Sequence, residues 1–369
     1  MRDYSIDTVR GLCIVSMIIG HMSMGSILFS LSHIPLWTDA AFGFVFLSGL
    51  VLGIVHRKKT KRAGSPDYRG LVRRAVLLYV VQFAILVLAL VVGAIDGGSH
   101  LPDAGEFGGW ANSFALVASL QLPAPNLTIL PMYVVLLLLA VGVLALLSRR
   151  KPWIAMALSA VIYVIAIIFP EHTVMPFLAQ HPAAQFNWAA WQLPFVGALV
   201  LGWNWADWEA RKKVLSRPMV LAAALLAAVI LVTAQLVERL RVLAGTPAEP
   251  VVDLVFAKWD LGPGAILYGV CGLVLLYWVV EQVAHVTWTH PLRNVLTTVG
   301  QKSLDSFVIL CLAVILLPAI FNYSQDSVVG MVSAFLVFGI CWVWARQRIS
   351  RRSQAPARNY QHDSVDMAQ

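Results

Sequence analysis

Ten long apolar stretches alternate with short polar segments along the 369 residues of the chain. A helix needs roughly 20 mostly apolar residues to cross the hydrocarbon core of a bilayer. The pattern therefore predicts an all-α fold, a polytopic integral membrane helix bundle with about ten transmembrane helices. The predicted spans are residues 9–31, 40–56, 75–95, 127–148, 152–169, 188–206, 218–238, 264–284, 303–321 and 327–345.

The composition supports this prediction. Hydrophobic residues make up 59% of the chain and charged residues only 12%, and the mean hydropathy is +0.76. Soluble domains carry about twice that charged fraction, so the lipid bilayer is the first expected partner. All four cysteines lie inside apolar stretches, without the spacing of a disulfide framework or a zinc site, and no metal is expected.

The basic residues fall almost entirely on one side of this ten-helix arrangement. Of the 27 Lys and Arg residues, 23 lie on one side and three on the other, and Arg10 lies within the first span. Because Lys and Arg concentrate in cytoplasmic loops, both termini are predicted to be cytoplasmic. The same arrangement accounts for the net charge of +8, so nucleic acid is not an expected partner. We expect one transmembrane domain over residues 1–345 and a basic, disordered cytoplasmic tail over residues 346–369.

Arg10 and His21 are the polar residues of the first span that most need an explanation. A charged group inside a membrane costs about 2.5–3.5 kcal/mol on insertion scales, so each is a functional hypothesis. The two residues are 11 positions apart, which is about three helical turns, so they share one helix face about 16 Å apart. We expect Arg10 at the cytoplasmic edge and His21 well inside the bilayer, with Asp7 one turn away from Arg10 to orient it.

This spacing suits a long, thin ligand with phosphates at one end. An arginine binds phosphate through charge-assisted hydrogen bonds, and a neutral imidazole accepts a proton from a hydroxyl that attacks a thioester. Acyl-CoA has this shape and is the expected co-substrate, with no permanently bound cofactor. Spacing alone leaves two other interpretations open, a snorkelling arginine and a hydrogen-bonded histidine of the bundle.

Other polar residues in or beside the spans are weaker candidates. Each is equally explained as a cytoplasmic anchor, a close-packing position or a polar helix end. The candidates for binding the acyl donor are Ser48, Arg73, Arg74 and Lys302, and those for binding the acceptor or lining the site are Asp39, Gln192, Lys258 and Asp305.

Several segments together resemble a known family. Arg10, ten intervening residues and His21 resemble the signature of the acyltransferase family 3 superfamily, and the finer similarity is to the OpgC-like periplasmic glucan succinyltransferases. The similar segments are Arg2-Asp3…Ile6-Asp7…Arg10-Gly11, Asp39-Ala-Ala, Phe44-Val-Phe-Leu-Ser48-Gly49, Pro131-Met-Tyr133, Trp191-Gln192…Gly197, Lys258-Trp-Asp-Leu-Gly262-Pro263 and Gly300-Gln-Lys-Ser303-Leu.

The resemblance implies a multi-pass O-acyltransferase of the bacterial inner membrane. It would move a succinyl or acetyl group from cytoplasmic acyl-CoA to a hydroxyl of an exported glycan, such as a periplasmic glucan. His21 would be the catalytic base and Arg10 its donor-binding partner, with Arg73 or Arg74 as a second donor contact. Gly20 and Phe42-Gly43 stand where related sequences often carry an acid, so the acyl group, the acceptor glycan and the choice between direct transfer and a covalent intermediate stay open.

Two other functions fit an intramembrane His and Arg. A secondary transporter would use them in a proton or anion pathway, and its expected inverted repeats are not evident in the sequence. If the protein is instead a non-catalytic partner of a glycan synthase, removal of His21 should change nothing measurable in acylation.

Overall fold

The computed structural model describes residues 3–32, 40–96, 101–122, 124, 127–169, 186–205, 209–240, 254–321, 325 and 327–366. Over these residues the chain is all-helical, as predicted. The helices are α1 (Tyr4–Met22), α2 (Ile27–Ser32), α3 (Ala40–Ala63), α4 (Tyr68–Asp96), α5 (Trp110–Ala118), α6 (Ile129–Ser148), α7 (Pro152–Ile168), α8 (Trp188–Trp205), α9 (Glu209–Val214), α10 (Arg217–Leu240), α11 (Pro263–Val283), α12 (His290–Gln301), α13 (Ser303–Ile320) and α14 (Val328–Asp366).

A helix coincides with each of the ten predicted spans. By length and composition, seven helices of the described residues can cross a membrane: α1, α3, α4, α6, α11, α13 and α14. Two more helices, Pro152–Ile168 and Arg217–Thr233, are apolar but shorter. A multi-pass membrane protein is therefore confirmed, while the number of ten spans and the cytoplasmic termini stay predictions.

The first span differs from its predicted bounds. Asp3 accepts hydrogen bonds from the N–H groups of Ser5 and Ile6, so α1 begins at Tyr4, before the apolar stretch. The helix ends at Met22, because the next residues form a turn in which Gly25 has a φ of 85°. The predicted span over residues 9–31 is therefore two helices, and the second begins at Ile27.

The last helix also differs from its prediction. The final apolar stretch was expected to end at residue 345 and to be followed by a disordered tail. The backbone of α14 is helical from Val328 to Asp366, so this helix is longer than the predicted span. The domain boundary at residue 345 and the cytoplasmic tail stay predictions.

The described chain forms two compact units. The first comprises residues 1–33, 280–314 and 323–369, and the second comprises residues 34–279 and 315–322. In the first unit, α1 crosses α12 at two glycines. A Cβ atom on Gly300 would lie 1.7 Å from the carbonyl oxygen of Asp7, and one on Gly11 would lie 2.1 Å from that of Leu296. Only glycine permits this approach of the two backbones.

The second unit is organised by the contact between α3 and α8. A Cβ atom on Gly202 would lie 2.0 Å from the carbonyl oxygen of Leu50, and one on Gly53 would lie 2.2 Å from that of Leu199. At the same interface, Phe42 packs edge-on to Trp191, with ring centroids 6.5 Å apart. Small residues thus bring the two helices together and large rings fill the remaining space.

The addition of a single methyl group at this interface tests the packing of α3 on α8. We expect Gly202→Ala to destabilise the second unit by about 1–3 kcal/mol, the usual cost of overpacking a core. Gly142→Ala on α6 is the matched control, because a Cβ there meets no atom within 4 Å and alanine favours helix by about 1 kcal/mol. Thermal unfolding in detergent measures both variants, and a stable Gly202→Ala protein would contradict the close approach.

The predicted orientation is tested with two new cysteines. Glu106 and Ser65 are exposed and lie on opposite sides in the ten-span prediction, while the four native cysteines are buried. A membrane-impermeant maleimide added to intact cells should label Glu106→Cys and should label Ser65→Cys only after the membrane is opened. The reverse labelling pattern would invert the topology.

Candidate functional site

Arg10 is buried in the first unit, with only 8% of its surface exposed. Its Nη2 atom donates a hydrogen bond to the Ser303 hydroxyl at 2.5 Å. Its Nη1 atom lies 3.9 Å from Oδ1 of Asp7, which is one helical turn away and also buried. The guanidinium is therefore a fixed, partly neutralised cation, and Asp7 lies where the sequence predicted an orienting carboxylate.

The helix α12 forms the surroundings of this cation. The hydroxyl groups of Thr8 on α1 and Thr297 on α12 share a hydrogen bond of 2.8 Å. Ser303 begins α13 directly after α12, and its hydroxyl reaches Arg10. Helix α12 therefore packs against α1 beside the charged group, and the hydroxyl groups at this crossing are hydrogen-bonded to each other.

His21 lies in the last turn of α1 and is half-buried. The main-chain carbonyl of His21 accepts a hydrogen bond from Nε2 of Gln325 at 3.1 Å, which fixes this end of the helix. Because α1 has 19 residues, it is about 28 Å long. Arg10 therefore lies in its second turn and His21 at its far end, and the expected depths of the two residues in the bilayer stay predictions.

The other predicted donor-binding residues are divided between the units. Lys302 follows α12 in the first unit and is half-buried. Ser48, Arg73 and Arg74 belong to the second unit. The Ser48 hydroxyl is buried and has no partner among the described residues, whereas Arg73 is exposed and Arg74 half-buried in the second turn of α4.

Gln192 is completely buried, and its amide is hydrogen-bonded within the protein. Its Oε1 accepts a hydrogen bond from the Ser159 hydroxyl at 2.6 Å. Its Nε2 donates to the carbonyls of Ser159 at 2.8 Å and Ala189 at 3.1 Å. This arrangement joins α7 to α8 and gives Gln192 a packing role beside the predicted acceptor-lining role.

Lys258 belongs to a cluster of aromatic and polar residues in the second unit. Its ammonium group lies 5.1 Å from the ring centroid of Trp259. The carbonyl of Trp259 accepts a hydrogen bond from the Trp191 indole at 2.9 Å. The neighbouring Asp260 accepts a hydrogen bond from the Asn187 amide at 3.3 Å. In the predicted orientation this cluster lies on the outer side, where an acceptor would arrive.

The two remaining candidates have different outcomes. Asp305 lies in the first turn of α13, and its carboxylate is 4.0 Å from Nε of Arg348 on α14. This exposed ion pair explains the residue without a ligand. Asp39 lies outside the described residues.

Two cavities lie beside helix ends that the prediction places in the cytoplasm. One, of about 370 Å³, is in the first unit and lies between Tyr4 and the polar side of α12. The other, of about 450 Å³, is at the turn between α3 and α4 and is lined by Lys59, Arg62 and Asp67 among others. Hydrogen bonds from Lys59 and from the N–H of Gly70 lower the pKa of Asp67 below its ordinary value, which keeps a carboxylate in that second cavity.

Thr297 contributes to the site but was not predicted, and Ser303 was noted only as a polar helix start within a segment that resembles the family. The sequence signal for these residues lay in the segment Gly300-Gln-Lys-Ser303. A glycine permits close helix contact, and a serine is typical of a helix start. Nothing in the apolar pattern paired that segment with Arg10.

The hydrogen bonds of Gln192 give a direct test of its role. Ser159→Ala and Gln192→Leu should each destabilise the protein by about 1–3 kcal/mol, because each leaves a buried polar group unsatisfied. The double variant should cost less than the sum of the two single changes. Thermal unfolding in detergent measures all three, with Ser119→Ala on the exposed end of α5 as the control. An unchanged melting temperature for Gln192→Leu would leave only the acceptor-lining role.

Fold and site together define a multi-pass helical membrane protein. It has a buried cluster of Arg10, Asp7 and Ser303, and His21 lies on the same helix as Arg10 and Asp7. A family model described as OpgC protein matches residues 2–354, and the chain therefore belongs to the OpgC family. This membership is consistent with a membrane protein that takes part in glucan modification. No curated protein matches the chain.

Proposed function

We propose that this protein is a membrane-bound O-acyltransferase. It would move an acyl group, succinyl or acetyl, from cytoplasmic acyl-CoA to a hydroxyl of an exported glycan such as periplasmic glucan, in the inner membrane of a bacterium. The observation that supports it best is the placement of Arg10 and His21 on one helix, the first buried and fixed and the second at the helix end. Membership of the OpgC family supports glucan as the acceptor class.

The distance between the two residues suits the proposed donor. The rise of α1 puts Arg10 and His21 about 16 Å apart along the axis. The pantetheine arm has twelve bonds between its phosphate oxygen and its sulfur. At three bonds for every ~3.5 Å of extended chain, the arm reaches about 14 Å. A thioester whose phosphates lie near Arg10 would therefore reach the neighbourhood of His21.

The proposed reaction conserves atoms and charge. The acceptor oxygen attacks the thioester carbonyl carbon while an imidazole nitrogen of His21 accepts the hydroxyl proton. The carbon–sulfur bond breaks, and the departing thiolate takes that proton to give free CoA. An acyl-enzyme intermediate would divide the same chemistry into two steps.

Other residues have supporting roles in this proposal. Asp7 and Ser303 hold the guanidinium of Arg10 in place, and Arg73 and Arg74 remain donor-binding residues by resemblance alone. Lys258 and its neighbours Trp259 and Asp260 offer a cation, an aromatic ring and a carboxylate to an arriving sugar. Acyl-CoA is a co-substrate in this proposal and not a resident cofactor.

The test compares purified native protein, His21→Ala and His285→Ala in detergent. Each receives radiolabelled succinyl-CoA or acetyl-CoA and exported glucan. His285 is an exposed histidine between α11 and α12, so its variant controls for the loss of an imidazole. Native protein and His285→Ala should label the glucan equally, and His21→Ala should be slower by about 10²–10⁴-fold, the usual contribution of a general base.

The contrary outcomes separate the alternatives. Equal labelling by native protein and His21→Ala would show that the histidine is not catalytic and would favour a partner of a glycan synthase. Failure of the native protein to bind CoA would exclude the proposed donor and favour a transporter that uses the same two residues.

A further inference from the structure

The smaller of the two cavities has the dimensions of a ligand site. It lies wholly within the first unit, where α12 faces the beginning of α1. Its volume of about 370 Å³ falls within the usual range of small-molecule pockets, about 300–1,000 Å³. This volume is enough for a nucleotide but not for a whole molecule of coenzyme A.

The lining suits a phosphorylated ligand. Arg293 provides a permanent positive charge and His290 an imidazole, while Asn294 and Gln301 provide amide donors. Among the described residues that line the cavity there is no carboxylate. The larger cavity of the second unit differs in this respect, because Asp67 lies in its wall. The larger cavity also holds Lys59, Arg62 and Arg69, so the described lining without a carboxylate, and not the net charge, sets the smaller cavity apart.

The cavity also offers an aromatic surface at its edge. Tyr4 is the first residue of α1, and half of its surface (50%) is exposed. A planar base can stack on such a ring, and base–aromatic stacking contributes about 1–3 kcal/mol. An aromatic ring beside an arginine is the combination expected for a phosphorylated nucleoside rather than for inorganic phosphate.

The walls of the cavity are held in place without a ligand. Arg293 donates a hydrogen bond from Nη1 to the carbonyl of Ala284 at 3.3 Å. Thr297 bonds both Thr8 on α1, at 2.8 Å, and the carbonyl of Arg293, at 2.7 Å. The cationic side of the site is therefore preorganised, which lowers the entropy lost on binding.

The cavity and the buried arginine share helix α1. The cavity extends along α12 from His290 to Gln301, a rise of about 16 Å. Tyr4 and Arg10 are six residues apart on α1, a rise of about 9 Å. A base stacked on Tyr4 would therefore leave its diphosphate within reach of Arg10.

We infer that this cavity binds the phosphorylated adenosine end of the acyl donor. The inference rests on the proposed function, since it assigns the nucleotide end of the same acyl-CoA. Tyr4 would stack on the adenine, and Arg293 and His290 would bind the 3′-phosphate, which leaves the diphosphate for Arg10. Anionic phospholipid headgroups share the phosphate chemistry but lack the base, so the experiment separates the two sources.

The experiment measures binding of adenosine 3′,5′-bisphosphate and of CoA to purified protein in a neutral detergent. We expect Arg293→Ala to weaken both by at least about tenfold, and Arg293→Lys by less, because lysine keeps the charge but loses the bidentate geometry. Tyr4→Ala should weaken both as well. Arg62→Ala is the matched control, because Arg62 lines the other cavity, and it should bind both ligands normally.

Each outcome of the experiment leads to a different conclusion. Equal binding by native protein and both Arg293 variants would overturn the inference, while CoA binding and acyl transfer by those variants would leave the proposed function intact. Loss of binding only in Arg62→Ala would overturn it in favour of the second cavity. Bisphosphate binding that needs Arg293, in a native protein that transfers no acyl group, would support the nucleotide site and reject the proposed reaction.

Two further controls complete the design. Melting temperatures of all variants show whether Arg293→Ala is folded, and Arg293→Lys gives an answer if it is not. Phosphatidylglycerol is then added to the native protein with bound bisphosphate. If the lipid displaces the bound bisphosphate at a lipid concentration similar to that of the free bisphosphate, the cavity binds lipid headgroups and the inference is overturned. Retention of the bisphosphate would support the inference.

Discussion

The hydrogen bond from Arg10 to Ser303 stabilises a charge that is buried inside the protein. A membrane interior provides no water for an unsatisfied polar group, so the protein itself must surround such a group with partners. The close crossing of α1 and α12 satisfies this requirement. Gly11 and Gly300 let the two backbones approach, Thr8 and Thr297 join them, and α13 begins where its first hydroxyl reaches the guanidinium.

The sequence predicted the uniformly apolar helices much better than the helices that mix polar and apolar residues. The Leu-rich helix α6 lies within two residues of its predicted bounds, because hydropathy alone specifies it. The helix α12 was predicted as a polar cytoplasmic loop, since hydropathy does not detect a helix that buries one short face, with Leu296, Val299 and Gly300. The start of α1 was missed because its buried residues Ser5, Asp7 and Thr8 are polar. The end of α1 was missed because a turn containing Gly25 interrupts an otherwise continuous apolar stretch.

The candidate site was also predicted only in part. Arg10 and His21 could be paired from the sequence because they lie on one helix, where the rise per residue is fixed. The orienting role of Asp7 followed from the same periodicity. Ser303 is 293 residues away from Arg10 in the chain, and the packing of α1 on α12 that joins them depends on two glycines whose role is invisible without the partner helix. Gln192 is different, because it lies within the predicted span 188–206 and its amide is hydrogen-bonded inside the protein.

A single rigid helix that carries both functional residues has a chemical consequence for the proposed reaction. The axial distance between Arg10 and His21 is set by hydrogen bonds of the backbone, and both ends are fixed, one by Ser303 and the other by Gln325. The protein therefore cannot shorten this distance to suit a smaller donor. A donor must reach across it with its own flexible arm, so the length of the arm itself becomes a criterion of selection. Binding energy from the nucleotide end then serves to place the thioester at the histidine, which is how remote contacts contribute to catalysis.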